Sequence, residues 1–283
     1  GPGEYKDIGS MDVNPANGEL YLKEMNRQQI HVYSLDGKFK HSFTFPEGKR
    51  MSRMCLFSPD YLIAEQESKV PDDQDANFYP YLLVSTRDGH LDSLDYVQKR
   101  NILVKLIVNA ENHSYAYLLE PSLIRNGSRF YIGNPDSDTL FAMNPDRTLE
   151  PLLVRTPSHS EEGNKYGLFL RGAAGAYFFL TKQPMEVPMN SIESLDLKSE
   201  EWLYDCRTQE VCRYLLKNKD DASKRVEGIM FFCYPEDCGL AVLKSEDLMD
   251  AYEAGQLSGE LKEIAAGLKA DDNPVLMLIH FKK

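Results

Sequence analysis

Residues 8–45 read IGSMDVNPANGELYLKEMNRQQIHVYSLDGKFKHSFTF. Four extended runs are legible in this stretch: Ile8 to Val13, Leu20 to Met25, Gln29 to Leu35 and His41 to Phe45. The first bend is Asn14-Pro15-Ala16-Asn17-Gly18, and the last is Asp36-Gly37. Within IHVYSL, Ile30, Val32 and Ser34 fall on one face of a strand and His31, Tyr33 and Leu35 on the other, because strand side chains alternate with period two. An Asp-Gly pair between two such runs marks a tight hairpin, since both residues tolerate positive φ. The stretch therefore predicts a four-strand antiparallel meander.

The same grammar recurs along the chain. The predicted units cover residues 6–46, 52–98, 118–157, 165–217 and 226–283, and they treat the whole of 1–283 as a single domain. Asp88-Gly89 and Asn126-Gly127 supply hairpin turns, and NPDSD and NPDRT are rich in residues that close tight bends. Polar inserts interrupt the second unit (KVPDDQDAN) and the fourth (residues 183–200). A helical insert is predicted over 245–268 inside the last unit, with Ser245 as N-cap, Leu248, Met249 and Tyr252 on one side, and Leu257, Leu261, Ile264 and Leu268 continuing after Gly255. Strands such as AYFFLT and VLMLIHF are apolar on both sides, as expected of sheets covered on both faces. The fold class that follows is all-β, a β-propeller of four-stranded antiparallel blades with a short helical insert in the last blade. A β-sandwich is the alternative, but its strands would leave one face polar.

Composition narrows the partners. With 283 residues, 42% of them hydrophobic, the chain can bury a substantial core. A formal net charge of -12 argues against nucleic acid, because neutralising phosphates needs a clustered excess of Lys and Arg. The longest apolar run, Val275 to Phe281, is a strand's length and far short of the ~20 residues that span a bilayer. No charged segment followed by an apolar one opens the sequence, so an export signal is expected to have been removed or to lie outside it.

Catalytic and metal motifs are missing from the sequence pattern. There is no H-E-x-x-H, no G-x-S-x-G and no glycine-rich phosphate loop. The histidines at 31, 41, 90, 113, 159 and 280 stand singly, and His31 and His280 alternate within strands, where a lone histidine usually belongs to the packing. Cys55, Cys206, Cys212, Cys233 and Cys238 match neither zinc-ribbon nor redox spacing. Cys206 with Cys212 across a hairpin, or Cys233 with Cys238 around a loop, would suit an oxidising compartment; free half-buried thiols are the plainer expectation. Asp72, Asp73, Asp75 and Asn77 offer hard oxygen ligands but lack the spacing of a calcium loop, so a solvated loop is expected there. No cofactor, no metal and no catalytic residue is predicted.

Three stretches carry a resemblance. MDVNPANGELYLKEMNRQQIHVYSLDGKFKHSF resembles an NHL-type blade, and GPGEY at residues 1–5 with DDNPVLMLIHFK near the end resembles the Bacteroides-type six-bladed β-propeller family. The resemblance implies an exported protein, periplasmic or held at the cell surface as a lipoprotein, of unassigned function. It also implies six blades where five units are readable, so either a blade precedes GPGEY or the ring has five units. In such a ring, loops from every blade converge on the mouth of a central channel. Arg50, Arg53, Arg171 and Arg225 stand just before or at the end of first strands, and Tyr5 and Tyr166 at similar entrances, so they are the candidate ligand-binding residues. Guanidinium and aromatic groups gathered there suit an anionic or sugar-like ligand. The expected function is a non-enzymatic binding or interaction module for a glycan or peptide, with a monomer favoured. A lyase or hydrolase with its site in the channel is the alternative, and a structural partner of an outer-membrane complex a third.

Overall fold

The computed structural model describes the chain apart from residues 1–4, 47–49, 67–79, 95–102, 110–113, 120–122, 134–136, 159–160, 162–165, 189–198, 222–223, 227, 232–236 and 283, and apart from the side chains of residues 52 and 103–119. The acidic positions 72–77, the possible thiol partner Cys233 and the histidines at 113 and 159 lie outside the described residues. Two compact units make up the chain, Gly1–Ile102 and Leu103–Lys283.

The first unit contains two meanders. Strands β1 (Ile8–Asn14), β2 (Glu19–Glu24), β3 (Gln29–Ser34) and β4 (Phe39–Thr44) pair in sequence order, and so do β5 (Met51–Ser58), β6 (Tyr61–Gln66), β7 (Tyr81–Ser85) and β8 (Leu91–Ser93). The Asp36-Gly37 turn closes as predicted: Gly37 has φ +84°, and its N–H donates to the Ser34 carbonyl at 2.9 Å. The two sheets meet mainly through their first strands, β1 and β5. Side chains on β1 donate and accept across this seam. Asp12 Oδ2 accepts the Leu56 N–H at 2.6 Å, Ser10 Oγ accepts that of Met54 at 3.3 Å, and Asn14 Nδ2 donates to the Pro59 carbonyl at 2.9 Å. Behind the seam, Tyr21, Ile30 and Val32 from one sheet pack on Met51, Met54, Leu56, Leu62, Ala64, Leu82 and Val84 from the other, all buried. Each such side chain contributes on the order of 1.5–3 kcal/mol through its removal from water.

The second unit repeats the arrangement. Strands β9 (Leu103–Asn109) and β10 (Ser114–Leu119) form a hairpin that the sequence reading left unassigned. A meander follows in β11 (Leu123–Asn126), β12 (Arg129–Ile132), β13 (Thr139–Met143) and β14 (Leu149–Val154). The next sheet takes β15 (Tyr166–Ala174) and β16 (Tyr177–Pro184), leaves out β17 (Glu186–Pro188), and continues with β18 (Glu200–Asp205) and β19 (Glu210–Arg213). Strand β17 instead runs parallel to β9, pairing Glu186 with Lys105. Last come β20 (Met230–Phe231), β21 (Cys238–Leu243) and, after the helices, β22 (Val275–His280), a three-stranded sheet.

The central sheet of this unit is covered on both faces, which is how propeller blades differ from a sandwich. Phe178 meets Tyr131 of the preceding sheet edge to face at 4.7 Å, while its neighbour Phe179 stacks on Phe231 of the following sheet at 4.4 Å. Adjacent residues of AYFFLT thus serve opposite cores, as the apolar pattern predicts. Gly172 is needed here for close approach: a Cβ on it would lie 1.9 Å from the Phe231 ring. The chain is therefore all-β, built of four-stranded antiparallel propeller-type blades, the last of them three-stranded, with two short helices.

The helical insert differs in detail from expectation. Helix α1 covers Ser245–Glu253 and α2 covers Gly259–Ala265. Ser245 is the first helical residue and no N-cap; its hydroxyl donates instead to the carbonyls of Asp272 and Asn273, at 3.0 and 2.9 Å, tying the helix start to the chain entering β22. The inward face is Leu248, Ala251, Leu257, Leu261 and Ala265, whereas Tyr252 and Ile264 are exposed.

Candidate functional site

Register determines what the β15–β19 sheet shows to its neighbour. Leu168 pairs with Lys182, Leu180 with Trp202, and Trp202 with Arg213, so these side chains share one face of the sheet with Tyr166 and Leu170. That face looks onto β11–β14. Near the first strands the two sheets are in close contact through Tyr131, Leu140, Leu170, Ala173 and Phe178. Toward the outer strands they part and leave a cleft of about 510 Å3.

Leu140, Leu170 and Leu180 form its buried floor, and Val154 and Val211 stand exposed at its rim. Into this apolar setting project a few polar groups. Arg155 follows directly on β14, held by its N–H donating to the Asp138 carbonyl at 2.6 Å. Its Nη2 donates to the Tyr166 carbonyl at 2.9 Å, whereas Nη1 is buried and finds no hydrogen-bond acceptor among the described residues. The Lys182 ammonium lies over the Tyr166 ring, 4.9 Å from its centre. Trp202 donates from Nε1 to Glu200 at 3.3 Å and carries the Arg213 guanidinium over its ring at 5.3 Å. A buried guanidinium N–H without an acceptor costs on the order of 1–3 kcal/mol, a cost that a ligand acceptor relieves if the guanidinium turns toward the cleft to meet it. Two cationic groups beside two aromatic rings suit a ligand with an acidic group and a flat apolar face.

Of the six residues predicted from sequence, Tyr166 lines this cleft. Arg171 lies on the same strand but is the extra residue of a β-bulge between Leu170 and Gly172; its Nη2 donates to buried Gln183 at 3.0 Å and it lies over the Phe169 ring. Arg225 sits in an isolated bridge with Lys217. In the first unit, Tyr5 is exposed with its edge on Tyr33, and Arg50 and Arg53 are exposed. Arg155, Lys182 and Trp202 were not singled out by the sequence reading. The one available signal was Trp202, the only tryptophan of the chain.

A buried polar cluster occupies the first unit. Glu24 accepts the Lys6 N–H at 3.3 Å, lies 3.4 Å from His31 Nε2 and 3.5 Å from Arg27 Nε, with the His31 and Glu24 side chains 4% and 3% exposed. Lys23, also buried, donates to the Glu24 carbonyl at 2.9 Å. His31 is thus a packed strand residue beside a carboxylate, in keeping with the sequence reading. The described cysteines Cys55, Cys206, Cys212 and Cys238 are free thiols, so the Cys206–Cys212 bridge is not formed. Among the described residues no helix is long and apolar enough to cross a membrane.

Similar proteins confirm the fold and leave the activity open. A protein of Bacteroides fragilis provisionally assigned as exported aligns over 100% of this chain and 79% of its own, with TM-score 0.64 and 14% identity. A member of the DUF4221 family from Bacteroides vulgatus aligns over 99% and 80%, with TM-score 0.54 and 9% identity. No curated protein matches the sequence. The model of a family described as a domain of unknown function, DUF4934, matches residues 1–280, and the chain belongs to that family.

Proposed function

We propose that the chain is an exported, non-enzymatic binding module that takes an acidic glycan or peptide into the cleft between β11–β14 and β15–β19. The observation that carries this reading is the pairing of Arg155, whose Nη1 finds no acceptor among the described residues, and Lys182 with the Tyr166 and Trp202 rings around a largely apolar cleft of about 510 Å3 that Asp138 and Thr139 also line. A carboxylate or sulfate on the ligand would fill that place in a charge-assisted hydrogen bond, and Lys182 stands nearby to share the charge. Tyr166 and Trp202 offer ring faces for a sugar or an aromatic side chain, the contact expected of binding sites that combine an apolar body with few polar groups. Export is supported by the provisional assignment of the Bacteroides fragilis relative; a lipid anchor, the periplasm, six blades and the NHL-like repeat rest on the sequence resemblance. Tyr5, Arg50 and Arg53 of the first unit, and Arg171 and Arg225 of the second, stay proposed as ligand-binding residues, each set taken by itself.

The protein carries its own reporter. Trp202 lines the cleft and is the single tryptophan, so ligand entry should change its fluorescence. Titration with a panel of acidic and neutral oligosaccharides and peptides should yield a saturable change for acidic members only. Arg155→Met should weaken binding by about tenfold to a hundredfold, the worth of one charged hydrogen bond. A saturable response to neutral ligands alone, or undiminished binding by the variant, would sink the reading.

A further inference from the structure

We propose that Asp237, Cys238 and His280, where β21 begins and β22 ends in the last sheet, form a binding site for a divalent ion of the zinc type. Two strands bring the residues together from far apart in sequence. Cys238 on β21 stands directly opposite His280 on β22, and the next rung is closed by the Phe281 N–H donating to the Asp237 carbonyl at 2.8 Å. Cys238 Sγ lies 3.1 Å from His280 Nδ1 and 3.7 Å from Asp237 Oδ1, and the three potential ligand atoms all lie within 4.8 Å of one another.

These spacings match a common ion. With zinc–sulfur bonds of about 2.3 Å and zinc–nitrogen or zinc–oxygen bonds of about 2.0–2.1 Å, tetrahedral neighbours sit roughly 3.3–3.6 Å apart. The 3.1 and 3.7 Å separations bracket that range and the third pair lies within 4.8 Å, so an ion enters once the three side chains draw in around it. A thiol–imidazole hydrogen bond would account for the shorter distance. The Cys238 thiol is also within hydrogen-bond reach of the Asp237 carboxylate, so thiol, imidazole and carboxylate converge on one point, where a cation would turn three electron-pair donors from neighbours into ligands. Thiolate, imidazole and carboxylate together favour zinc over calcium or magnesium, which seek oxygen alone.

His280 is exposed while Cys238 is buried, so the ion has an entry path on one side and a protected sulfur on the other. Three protein ligands leave the fourth tetrahedral position to water. On binding, the S–H bond of Cys238 breaks, its electron pair becomes the metal–sulfur bond and its proton passes to solvent. His280 binds as neutral imidazole through Nδ1, with the proton on Nε2. The site lies apart from the residues that line the cleft, so it stands or falls independently of the ligand proposed there.

Cobalt(II) is the probe. Titrated into the full chain under reducing conditions, it should give a near-ultraviolet thiolate-to-cobalt charge-transfer band that saturates at one ion per chain and is displaced by zinc. Cys238→Ser should abolish the band, and His280→Ala should weaken cobalt binding by about tenfold or more. Absence of the band in the native chain overturns the site, as does a band that survives Cys238→Ser. Should the buried Cys238→Ser fail to fold, exposed His280→Ala decides: unchanged cobalt affinity refutes the proposal.

Discussion

Two of the blade-on-blade interfaces are built in comparable ways, and the results differ. Between β1–β4 and β5–β8 the gap is filled from the first strands outward, with Phe43 and Leu91 of the outer strands closing over Tyr21, Met54 and Leu62. Between β11–β14 and β15–β19 the floor is equally apolar, but the outer strands contribute exposed Val154 and Val211 and leave a cleft. In the filled interface Asn14, Asn17 and Thr86 all donate to the Pro59 carbonyl. In the open one Arg155 keeps an N–H without an acceptor. Buried polar atoms without a hydrogen-bond partner among the described residues occur in both units, Asn14 Oδ1 in the first and Arg155 Nη1 in the second, but the latter belongs to a charged group that lines a cleft.

The comparison can be broken by substitution. Leu62→Ala, at a fully buried position of the filled interface, should cost about 2–5 kcal/mol through lost burial and the cavity left behind, whereas half-buried Leu153→Ala in the cleft wall should cost under about 1 kcal/mol. Urea midpoints of the two variants measure this, and equal losses would erase the distinction. Arg155→Met should change stability by less than about 1 kcal/mol while reducing binding, because relief of the unmet Nη1 donor offsets the lost Nη2 bond to the Tyr166 carbonyl. Thermal unfolding without ligand checks it, and a larger drop in the midpoint would mean the guanidinium supports the fold.

The smallest effect concerns the turn that holds β19 against β18. The Arg207 side chain donates to Asp205, holding its carboxyl at about 2, below the ordinary value of 3.8, and Arg207 lies over the Tyr177 ring. A carboxyl depressed on folding contributes stability that is fully present above its unfolded value and is lost as pH falls toward 2. Asp205→Asn should therefore be less stable than the native chain at neutral pH, and the difference should shrink between about pH 4 and pH 2. Thermal midpoints measured across that window test it; a difference that is constant with pH would assign the effect to packing.

Much of the fold was legible because its signals are local. Asp36-Gly37 announces its hairpin within two residues, and AYFFLT announces burial on both faces within six. The β9–β10 hairpin escaped because LVKLIVN has no clean alternation and ENHS is no strong turn sequence. Strand β17 has three residues, two of them charged or proline, and its partner lies in another part of the sequence. The candidate sites were illegible for the same reason. Arg155 and Trp202 meet only once two sheets are stacked, and His280 looked solitary until antiparallel register set it against Cys238, 42 residues earlier. Strand periodicity says which face a residue takes, but not which distant residue shares it.

The parallel rung between Lys105 and Glu186 has a consequence for synthesis. As the chain leaves the ribosome, β9 and β10 emerge early, yet the strand that flanks β9 arrives only after the whole β11–β14 meander and the first two strands of the next sheet have been made. Until then β9 keeps a bare row of backbone donors and acceptors, the kind of edge that recruits foreign strands. Long-range parallel pairing is slow because a large loop must close before any contact rewards it. The hazard is therefore timed: it is greatest in nascent or incompletely translated chains and ends when β17 docks.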